Sequence, residues 1–359
     1  MKLIIAGGGT GGHVFPAIAI AQALQKIDKS SEVLFIGTEL GMEKAAVPKA
    51  GYPIEFVRVS GIKGRSFTKK LRAFIEIPFA ILSSIRILRH VKPDALLGVG
   101  GYASGPSLLA AWLLRIPTAI LEPNSIPGFT NRILGLFARK IFGAFHRTAT
   151  YFSNKRFVVV GGPLRQEFLA ALLPAQKEES HLFQLLVVGG SLGAKALNDT
   201  VPKAVTLLNH RDLSLHVVHQ TGKNELEHVQ KSYQALNIKA DVRPFIDDMA
   251  ATYAQTDLII CRSGAGTCAE ITAMGLPSIL VPFPHAIYDH QTENAKELVE
   301  TGAAFLVPQA EMTPERLSQE ILELMKTPEK LKHMRQAALT LAKTDAAEQI
   351  AKSALKRFA

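Results

Sequence analysis

Cysteine and aromatic residues are scarce in this chain of 359 residues, and each scarcity excludes a class of protein. The two cysteines, Cys261 and Cys268, cannot build a disulfide framework, and neither has neighbours at zinc-ligand spacing. No Asp-x-Asp motif or His/Cys cluster suggests a metal. Aromatic residues, at 7%, are too few for the aromatic and basic pattern of nucleic-acid binding. We therefore expect no metal, no cofactor, no nucleic acid and a reducing, cytosolic environment.

Long apolar runs are also missing. A membrane-spanning helix needs roughly 18 consecutive apolar residues, and the nearest candidate, from Phe74 to Leu88, contains Glu76 and Arg86. The first apolar stretch, before the glycines at Gly7, is too short for a signal peptide. We expect a protein that is neither exported nor membrane-spanning.

Apolar and basic residues, in contrast, are abundant. Hydrophobic residues make up 47% of the chain, enough for a sizeable core, and the length suggests two domains at roughly 100–200 residues each. There are 41 basic and 31 acidic residues, which gives a net charge of +10. This charge favours an anionic partner but by itself does not choose among nucleic acid, anionic lipid and a phosphorylated substrate, of which the scarcity of aromatic residues disfavours the first.

Short apolar runs of strand length alternate with stretches of helical spacing in both halves of the chain. This pattern predicts an α/β protein with parallel sheets covered on both faces. The halves also start alike, with LIIAGGGTGG from Leu3 and LLVVGGSLGA from Leu185. We predict two doubly wound, Rossmann-like domains facing an interdomain cleft, residues 1–163 and 164–340, with a last helix in 341–359 that packs back on the first domain. The predicted strands are Leu3–Ala6, Val33–Ile36, Ala95–Leu97, Thr118–Leu121, Phe157–Val160, Leu185–Val188, Leu215–Val218, Leu258–Ile260 and Ser278–Val281.

The first glycine loop, GGGTGGH from Gly7 to His13, formally matches the dinucleotide motif G-x-G-x-x-G. That motif needs an acidic residue at the end of the second strand, where this chain has Gly37 and Thr38. The alternative is a loop that lets the backbone approach a diphosphate or a sugar. His13 would then be a candidate general base, since a helix N-terminus favours the neutral imidazole, although it could simply cap or pack the helix.

Polar side chains follow the next strands of the first half. GVGGYASGP from Gly98 places Tyr102 and Ser104 after one strand. LEPNSIPGFTNR from Leu121 follows another and carries Glu122, Asn124 and Asn131. Such residues can bind sugar hydroxyls at the carboxyl edge of a sheet, but they are also ordinary turn residues.

Three segments of the second half offer similar groups. GGSLGA presents Ser191 and backbone amides to a phosphate. CRSGAGTCAE places Glu270 where it could hold a ribose or only favour a helix N-terminus. DHQTENA offers His290, Gln291 and Asn294 to sugar hydroxyls, or begins a capped surface helix.

The stretch from Lys69 to Lys92 combines apolar residues at helical spacing with six flanking cations. This composition suits an interfacial membrane contact, although a core helix with basic ends would look similar, and Ile77 and Ile87 lie off the main stripe. Pro78 should bend or divide the helix. The candidate membrane residues are Leu71, Phe74, Ile75, Phe79, Leu82, Arg86 and Arg89.

Seven motifs occur in the order and spacing of one family: GGGTGGHVFPA, LGVGGYASGP, GGSLGA, HQTG, FIDDM, CRSGAGTCAEI and DHQTENA. From Lys2 to about Ala342 the chain resembles the UDP-N-acetylglucosamine:undecaprenyl-pyrophosphoryl-muramoyl-pentapeptide N-acetylglucosaminyltransferases, the MurG family, which has the two-domain, metal-independent GT-B fold. The resemblance implies inverting transfer of N-acetylglucosamine from UDP-GlcNAc to the 4-hydroxyl of undecaprenyl-diphosphate-MurNAc-pentapeptide, the step from lipid I to lipid II in peptidoglycan synthesis.

The resemblance also implies a place of work and partners. It implies a peripheral protein on the cytoplasmic face of the bacterial inner membrane, with an anionic membrane surface as partner. The cell-wall synthesis machinery is a further candidate partner.

The family's site residues carry over position by position. His13 is the candidate base, and Thr10, Gly11, Gly12 and Asn124 would face the transferred sugar and the acceptor, beside Tyr102, Glu122 and Asn131. Arg165 and Ser191 would meet the phosphates, and the Ile246 backbone would read uracil. Ribose, diphosphate and sugar would be held by Ala265, Gly266, Thr267, Cys268, Ala269, Glu270, His290 and Gln291.

Three positions depart from the family pattern. Leu121 and Pro123 stand where many members have His and Gln, and Leu192 stands where they have Gln. We therefore expect a different acceptor-side network. Two other functions stay open: a UDP-N-acetylglucosamine 2-epimerase, which needs no lipid-facing stretch, and a non-enzymatic nucleotide-binding module.

Overall fold

The computed structural model describes residues 1–59, 67–152, 155–172, 182–209 and 215–359, with residues 67–75 and 209 described by their backbone alone. The chain forms two compact units. Unit 1 comprises Met1–Gln166 and Lys343–Ala359, and unit 2 comprises Glu167–Ala342. The first boundary therefore lies three residues after the expected position, which places Arg165 in unit 1.

Unit 1 is built on a seven-stranded parallel sheet of order β3-β2-β1-β4-β5-β6-β7. Its central strands are continuous apolar runs, as expected for strands that helices cover on both faces. The strands are β1 Lys2–Gly7, β2 Glu32–Gly37, β3 Ile54–Phe56, β4 Ala95–Gly100, β5 Thr118–Glu122, β6 Lys140–Gly143 and β7 Phe157–Val159.

Helices of unit 1 cover both faces of this sheet. One face carries α1 and the last helix, α14, and the other carries α3, α4 and α5. The helices are α1 Gly11–Ile27, α2 Glu43–Lys49, α3 Phe67–Val91, α4 Ser104–Leu113, α5 Phe129–Leu134 and α14 Ala346–Leu355, with α6 Gln166–Ala171 at the boundary and a 3-10 turn at His146–Tyr151.

The last helix belongs to unit 1 although unit 2 precedes it in the chain. In α14 the buried positions Ala347, Ile350, Ala351 and Ala354 recur at helical spacing and pack on α1. Phe358 fills the core beside Phe142, with ring centroids 6.3 Å apart. The last residues of the chain therefore complete unit 1. This C-terminal segment is Lys343–Ala359, two residues shorter than the predicted 341–359.

Unit 2 repeats the design with a six-stranded parallel sheet of order β10-β9-β8-β11-β12-β13. Its strands are β8 Phe183–Val188, β9 Leu215–Gln220, β10 Ala240–Arg243, β11 Leu258–Cys261, β12 Ser278–Leu280 and β13 Ala304–Leu306. Its helices are α7 Lys195–Asn209, α8 Leu226–Ala235, α9 Met249–Gln255, α10 Ala265–Ala273, α11 His290–Glu300, α12 Pro314–Lys326 and α13 Pro328–Leu341, with 3-10 turns at Lys223–Glu225, Ile287–Asp289 and Gln309–Glu311.

All nine predicted strands are present, and the α/β class with two Rossmann-like units is confirmed. Four further strands were not predicted: β3, β6, β10 and β13. Three of them are edge strands of three or four residues, which only a neighbouring strand can stabilise.

Candidate functional site

Each sheet reverses its strand order once, and ligands of doubly wound sheets bind outside the carboxyl ends of the strands at that point. In unit 1 the reversal lies between β1 and β4, and in unit 2 between β8 and β11. The glycine-rich turns follow these four strands, so the predicted loops do lie at the two switch points.

The two glycine turns of unit 1 contact each other directly. The Gly8 amide donates to the Gly100 carbonyl at 3.1 Å. His13, the third residue of α1, lies against the second turn, since a Cβ on Gly100 would come within 2.6 Å of its imidazole Cε1. Gly100 also has φ +96°, so only glycine fits here without strain. The structure thus brings His13 to the switch point.

Glu122 ends β5 and organises the loop that follows it. Its Oε1 accepts from the Asn124 amide at 3.0 Å, and its Oε2 accepts from the Gly128 amide at 3.1 Å and from Asn131 Nδ2 at 2.8 Å. Burial raises the pKa of Glu122 to about 7, although these hydrogen bonds act in the opposite direction. The carboxyl group is therefore poised to change its charge near neutral pH.

The predicted acceptor residues of unit 1 divide into exposed and buried groups. Thr10, Gly12 and Tyr102 are exposed. Glu122 and Asn131, in contrast, are 2% and 4% exposed and bond to each other. The two side chains therefore bond to each other, and Glu122 also holds the loop on which Asn124 lies.

Arg165 and the loop residue Asn124 are positioned by neighbours in unit 1. The Arg165 guanidinium lies over the Phe15 ring, 5.3 Å from its centroid. Thr148 Oγ1 donates to the Asn124 carbonyl at 2.9 Å. Both side chains are half-buried, and the surrounding contacts hold them near the carboxyl edge of the sheet.

In unit 2 a buried amide side chain joins three segments of the switch point. Gln220, the last residue of β9, donates through Nε2 to the Gly190 carbonyl at 3.1 Å and accepts through Oε1 from the Ile246 amide at 2.9 Å. Because the Ile246 N–H is taken, only its carbonyl is left to read a uracil. Ser191 and Leu192, beside Gly190, are exposed.

The turn after β11 is tied to the start of α11. Ser263 is buried and donates through Oγ to the Gln291 carbonyl at 2.8 Å, while Asn294 Nδ2 donates to the Ser263 carbonyl at 3.2 Å. Gln291 Oε1 accepts from the Phe283 amide at 2.9 Å, so its side-chain NH2 is the group left for a sugar hydroxyl. Asn294, a further candidate for hydroxyl binding, instead lies inside as a brace.

His290 begins α11 after a bend with unusual backbone geometry. Tyr288 and Asp289 have φ of +57° and +54°, a left-handed conformation that is costly for residues other than glycine. Thr292 Oγ1 bonds Asp289 Oδ1 at 2.6 Å, and His290 Nδ1 lies 2.7 Å from the Ile287 carbonyl. These contacts fix the imidazole beside Gln291.

Cys268 is placed differently from its prediction. Its side chain is buried, its amide donates to the Gly264 carbonyl at 2.9 Å, and burial raises the pKa of its thiol to about 12. The Cys268 side chain therefore packs in the core. Ala265, Gly266, Thr267, Ala269 and Glu270, in α10, are all half-buried.

Three structural residues were missed by sequence reasoning: Glu43, Gln220 and Ser263. All are polar and buried, and each bonds the backbone of a distant segment. Gln220 and Ser263 did lie inside quoted motifs, HQTG and CRSGAG, so a polar residue at a strand end was the available signal. Glu43 lies in no motif.

A buried histidine in unit 2 was also missed. His219 Nδ1 lies 3.0 Å from the Tyr233 hydroxyl, and Nε2 lies 3.1 Å from Asn198 Oδ1. Because Asn198 Nδ2 donates to the Thr221 carbonyl, Oδ1 faces the imidazole and accepts from Nε2. Burial lowers the pKa of His219 to about 3, so it is neutral at physiological pH.

One cluster of potential metal ligands has no counterpart in the sequence expectations. Ligand atoms of Asp199, Glu225 and His228 lie within 4.8 Å of one another. Lys195 Nζ lies 3.0 Å from Asp199 Oδ2, however, and His228 Nε2 lies 2.9 Å from Oδ1. The cluster is thus a partly exposed ion-pair group.

Helix α3 has an outward stripe that fits the predicted membrane contact. Phe79 and Leu82 are 66% and 51% exposed, and Arg86 and Arg89 continue the stripe. Ala80, Ser84 and Leu88, which follow one another at four-residue spacing on another face of the helix, are buried. One face of α3 therefore packs in the core, while the membrane contact stays a prediction for the exposed face, and Pro78 lies inside α3 without dividing it. Leu71, Phe74 and Ile75 have side chains outside the described residues.

Comparison with known proteins covers both units. A family model described as the glycosyltransferase family 28 N-terminal domain matches residues 3–143, and one for the C-terminal domain of that family matches residues 184–350. The UDP-N-acetylglucosamine–N-acetylmuramyl-(pentapeptide) pyrophosphoryl-undecaprenol N-acetylglucosamine transferase of Myxococcus xanthus is 47% identical over 351 residues, which is 98% of this chain and 91% of that protein.

Two solved structures extend the comparison to the fold. Acinetobacter baumannii MurG shares 36% identity with a TM-score of 0.81 and covers 99% of both chains. The UDP-GlcNAc 2-epimerase of Neisseria meningitidis, bound to UDP-GlcNAc, has a TM-score of 0.72 at 16% identity, over 99% of this chain and 100% of that one, which shows a shared fold alone. The chain therefore belongs to glycosyltransferase family 28, and within it to the MurG family.

Proposed function

We propose that this protein transfers N-acetylglucosamine from UDP-GlcNAc to the 4-hydroxyl of the muramoyl sugar of undecaprenyl-diphosphate-MurNAc-pentapeptide. The observation that carries the proposal is 47% identity, over nearly the whole of both chains, to a relative named for this transfer. The glycine-rich turns at both switch points support the proposal, because donor and acceptor each need a binding edge.

Unit 2 holds the donor in this proposal. Its switch point combines an exposed Ser191, the amides that begin the turn and helix after β8, and the start of α10. Backbone amides at helix starts stabilise diphosphate charge. Glu270 accepts from the ribose hydroxyls, the Ile246 carbonyl reads uracil, and His290 and the Gln291 NH2 bind the sugar hydroxyls.

Unit 1 holds the acceptor, with His13 as general base. In a single inverting displacement, the acceptor oxygen attacks the anomeric carbon while the bond from that carbon to the UDP oxygen breaks. The hydroxyl proton passes to the imidazole, and the departing UDP carries the bonding electron pair. The proposal assigns stabilisation of that charge to amides, helix starts and Arg165, without a metal.

The proposal also places the protein at the cytoplasmic face of the inner membrane, as a peripheral protein. No helix in the described part of the chain is long and apolar enough to span a bilayer. Helices α3, α4 and α5 share one face of the sheet, and they and the turn after α5 expose large apolar side chains, while α3 also exposes the cations Arg86 and Arg89. Apolar burial and attraction to anionic headgroups add at such a surface. The exposed apolar residues are Phe79, Leu82, Trp112, Leu113, Phe129, Ile133, Leu136 and Phe137.

The test is a transfer assay with radiolabelled UDP-GlcNAc and a lipid-linked muramoyl-pentapeptide acceptor. Label should enter the lipid only when the acceptor is present, and transfer should survive EDTA. Loss of transfer in EDTA, restored by a divalent cation, would contradict the metal-independent step. Acceptor-independent epimerisation of UDP-GlcNAc at C2 would instead support the epimerase, and binding without turnover would support the nucleotide-binding module.

A further inference from the structure

A buried carboxylate that the proposed chemistry does not use lies under the first glycine loop. Glu43, the first residue of α2, is 1% exposed. Its Oε2 accepts from the Gly9 amide at 2.6 Å, and its Oε1 accepts from the amide and the hydroxyl of Thr38, both at 2.9 Å. Both oxygens therefore accept from strong donors, which makes this a satisfied internal anion site.

The surrounding backbone is shaped to admit this carboxylate. A Cβ at Gly8, Gly37 or Gly41 would collide with the Glu43 side chain. The start of α2 also reaches Gly9 from the other side, since the Met42 amide donates to the Gly9 carbonyl at 3.3 Å. The peptide groups on both sides of Gly9 are thus tied to Met42 and Glu43.

Gly9 directly precedes the residues that carry the acceptor chemistry. Thr10 occupies the N-cap position of α1, and the amides of His13 and Val14 donate to the Thr10 carbonyl, both at 3.1 Å. A shift of Gly9 would therefore move the start of α1 and His13 with it. Because the first amides of a helix have no partner within the helix, the amides of Gly11 and Gly12 are those left for a ligand.

We propose that Glu43 is a positioning residue for the acceptor site. It fixes Gly9 and occupies the inner side of the loop, so that the acceptor meets only the outer side, at the start of α1. The inference rests on the proposed function, since it concerns the lipid-linked acceptor. It predicts that loss of the carboxylate changes acceptor binding and leaves the donor site of unit 2 unaffected.

The variant Glu43→Gln tests this with minimal change of shape. The glutamine oxygen can keep either the two Thr38 donors or the single Gly9 donor, so we expect the NH2 to face the Gly9 amide, where a donor meets a donor and the loop bond is lost. We expect the KM for the acceptor to rise by about tenfold or more, with the Kd for UDP unchanged within about twofold.

Two control variants separate positioning from stability. Glu39→Gln removes the same charge from an exposed position in the same loop and should change neither constant. Thr38→Val removes one donor to Glu43 Oε1 but leaves the bond from the Gly9 amide to Oε2. If Thr38→Val lowers the Tm as much as Glu43→Gln and raises the acceptor KM equally, the role is only structural and the proposal is wrong.

Hydrogen exchange of the Gly9 amide provides a readout that does not depend on enzyme activity, and its measurement on the wild type needs no variant. Mass spectrometry with residue-level fragmentation should find this amide protected in the wild type and, where Glu43→Gln folds, unprotected in that variant. An unprotected Gly9 amide in the wild type would overturn the inference. Absence of transfer in a wild type with a protected Gly9 would instead count against the proposed function.

Discussion

The two switch points are built alike, yet they are braced by side chains of different charge. In unit 1 the Gly9 amide is held by the carboxylate of Glu43, and in unit 2 the Gly190 carbonyl is held by the neutral amide of Gln220. Both braces are almost fully buried. In unit 1 an acceptor thus holds a backbone donor of the loop, and in unit 2 a donor holds a backbone acceptor. The polar brace, and not the glycine pattern, thus distinguishes unit 1 from unit 2.

The two units also differ in the pKa shift of a buried titratable side chain. Glu122 in unit 1 has a raised pKa, and His219 in unit 2 has a lowered one. Burial disfavours the charged form of each side chain. A carboxyl group becomes charged as the pH rises, whereas an imidazole becomes charged as the pH falls. We therefore expect unit 1 to lose stability as the pH rises and unit 2 to lose stability as the pH falls.

The largest effect expected from this comparison is on catalysis in unit 1. His13→Ala should lower kcat by about 10²- to 10⁴-fold because it removes the base, while the Kd for UDP-GlcNAc stays the same. Steady-state kinetics with both substrates and calorimetric titration of the donor measure the two effects. The exposed His90 provides the matched control, since His90→Ala should alter neither. Equal losses in kcat and donor affinity would contradict the assignment of His13 as base.

The next effect is the opposite pH dependence of the units. The folded pKa of Glu122, about 7, lies above its ordinary value of 4.5, so its contribution is complete below pH 4.5 and lost as pH rises to 7. The loss is on the order of 3 kcal/mol of unfolding free energy. Glu122→Gln should remove this slope in urea unfolding measured from pH 4 to 8.

His219 gives the reverse slope. Its folded pKa, about 3, lies below the ordinary 6.5, so its contribution is present above pH 6.5 and lost as pH falls towards 3. Unit 2 should lose on the order of 2 kcal/mol between pH 7 and 5. Hydrogen exchange of core amides in each unit separates the two slopes, and slopes of the same sign in both units would break the comparison.

A smaller effect concerns donor binding in unit 2. Glu270→Ala should weaken UDP-GlcNAc affinity by about tenfold, since it removes a charged acceptor from the ribose hydroxyls. Calorimetry measures the change, with Glu297→Ala, on the neighbouring helix α11, as the control. Unchanged affinity in Glu270→Ala would exclude this residue from the ribose site.

The smallest effect concerns the membrane surface of unit 1. Phe79→Ser together with Leu82→Ser should reduce binding to vesicles that contain anionic lipid by up to about tenfold, because full burial of such a side chain is worth about 1.5–3 kcal/mol and an interfacial contact buries only part of it. Vesicle sedimentation measures it, and Leu339→Ser, an exposed leucine of unit 2, is the control. Equal binding of both variants would refute this contact surface.

The central strands and glycine turns could be predicted because their signals are local. Strands such as Leu3–Ala6 and Leu185–Val188 are buried on both faces and therefore read as continuous apolar runs. The edge strand Ala240–Arg243 is half-exposed along its length and has no such run, which is why it was missed. The membrane stretch stayed ambiguous for a related reason, since one helix satisfies a core face and an exposed face at once.

Within the candidate site, the sequence predicted which residues lie at the strand ends but not which side chains contact each other. His13, Ser191 and Glu270 could be named because they lie beside glycine turns. Glu122 and Asn131 were named as ligand-facing residues, but the structure shows them bonded to each other. A sequence pattern gives the residue type at a strand end, whereas the backbone path and the side-chain rotamer decide whether that side chain points to solvent or to its neighbour.

The sequence by itself therefore determined the family, the two parallel sheets and the positions of the glycine turns, because periodic burial and turn chemistry act over a few residues. Tertiary structure decided which polar groups brace those turns. Glu43 meets Gly9 across 34 residues of chain, and Gln220 meets Gly190 across 30. Such pairings depend on how strands are ordered in the sheet, so only the packed fold brings each donor to its acceptor and fixes the charge beneath each loop.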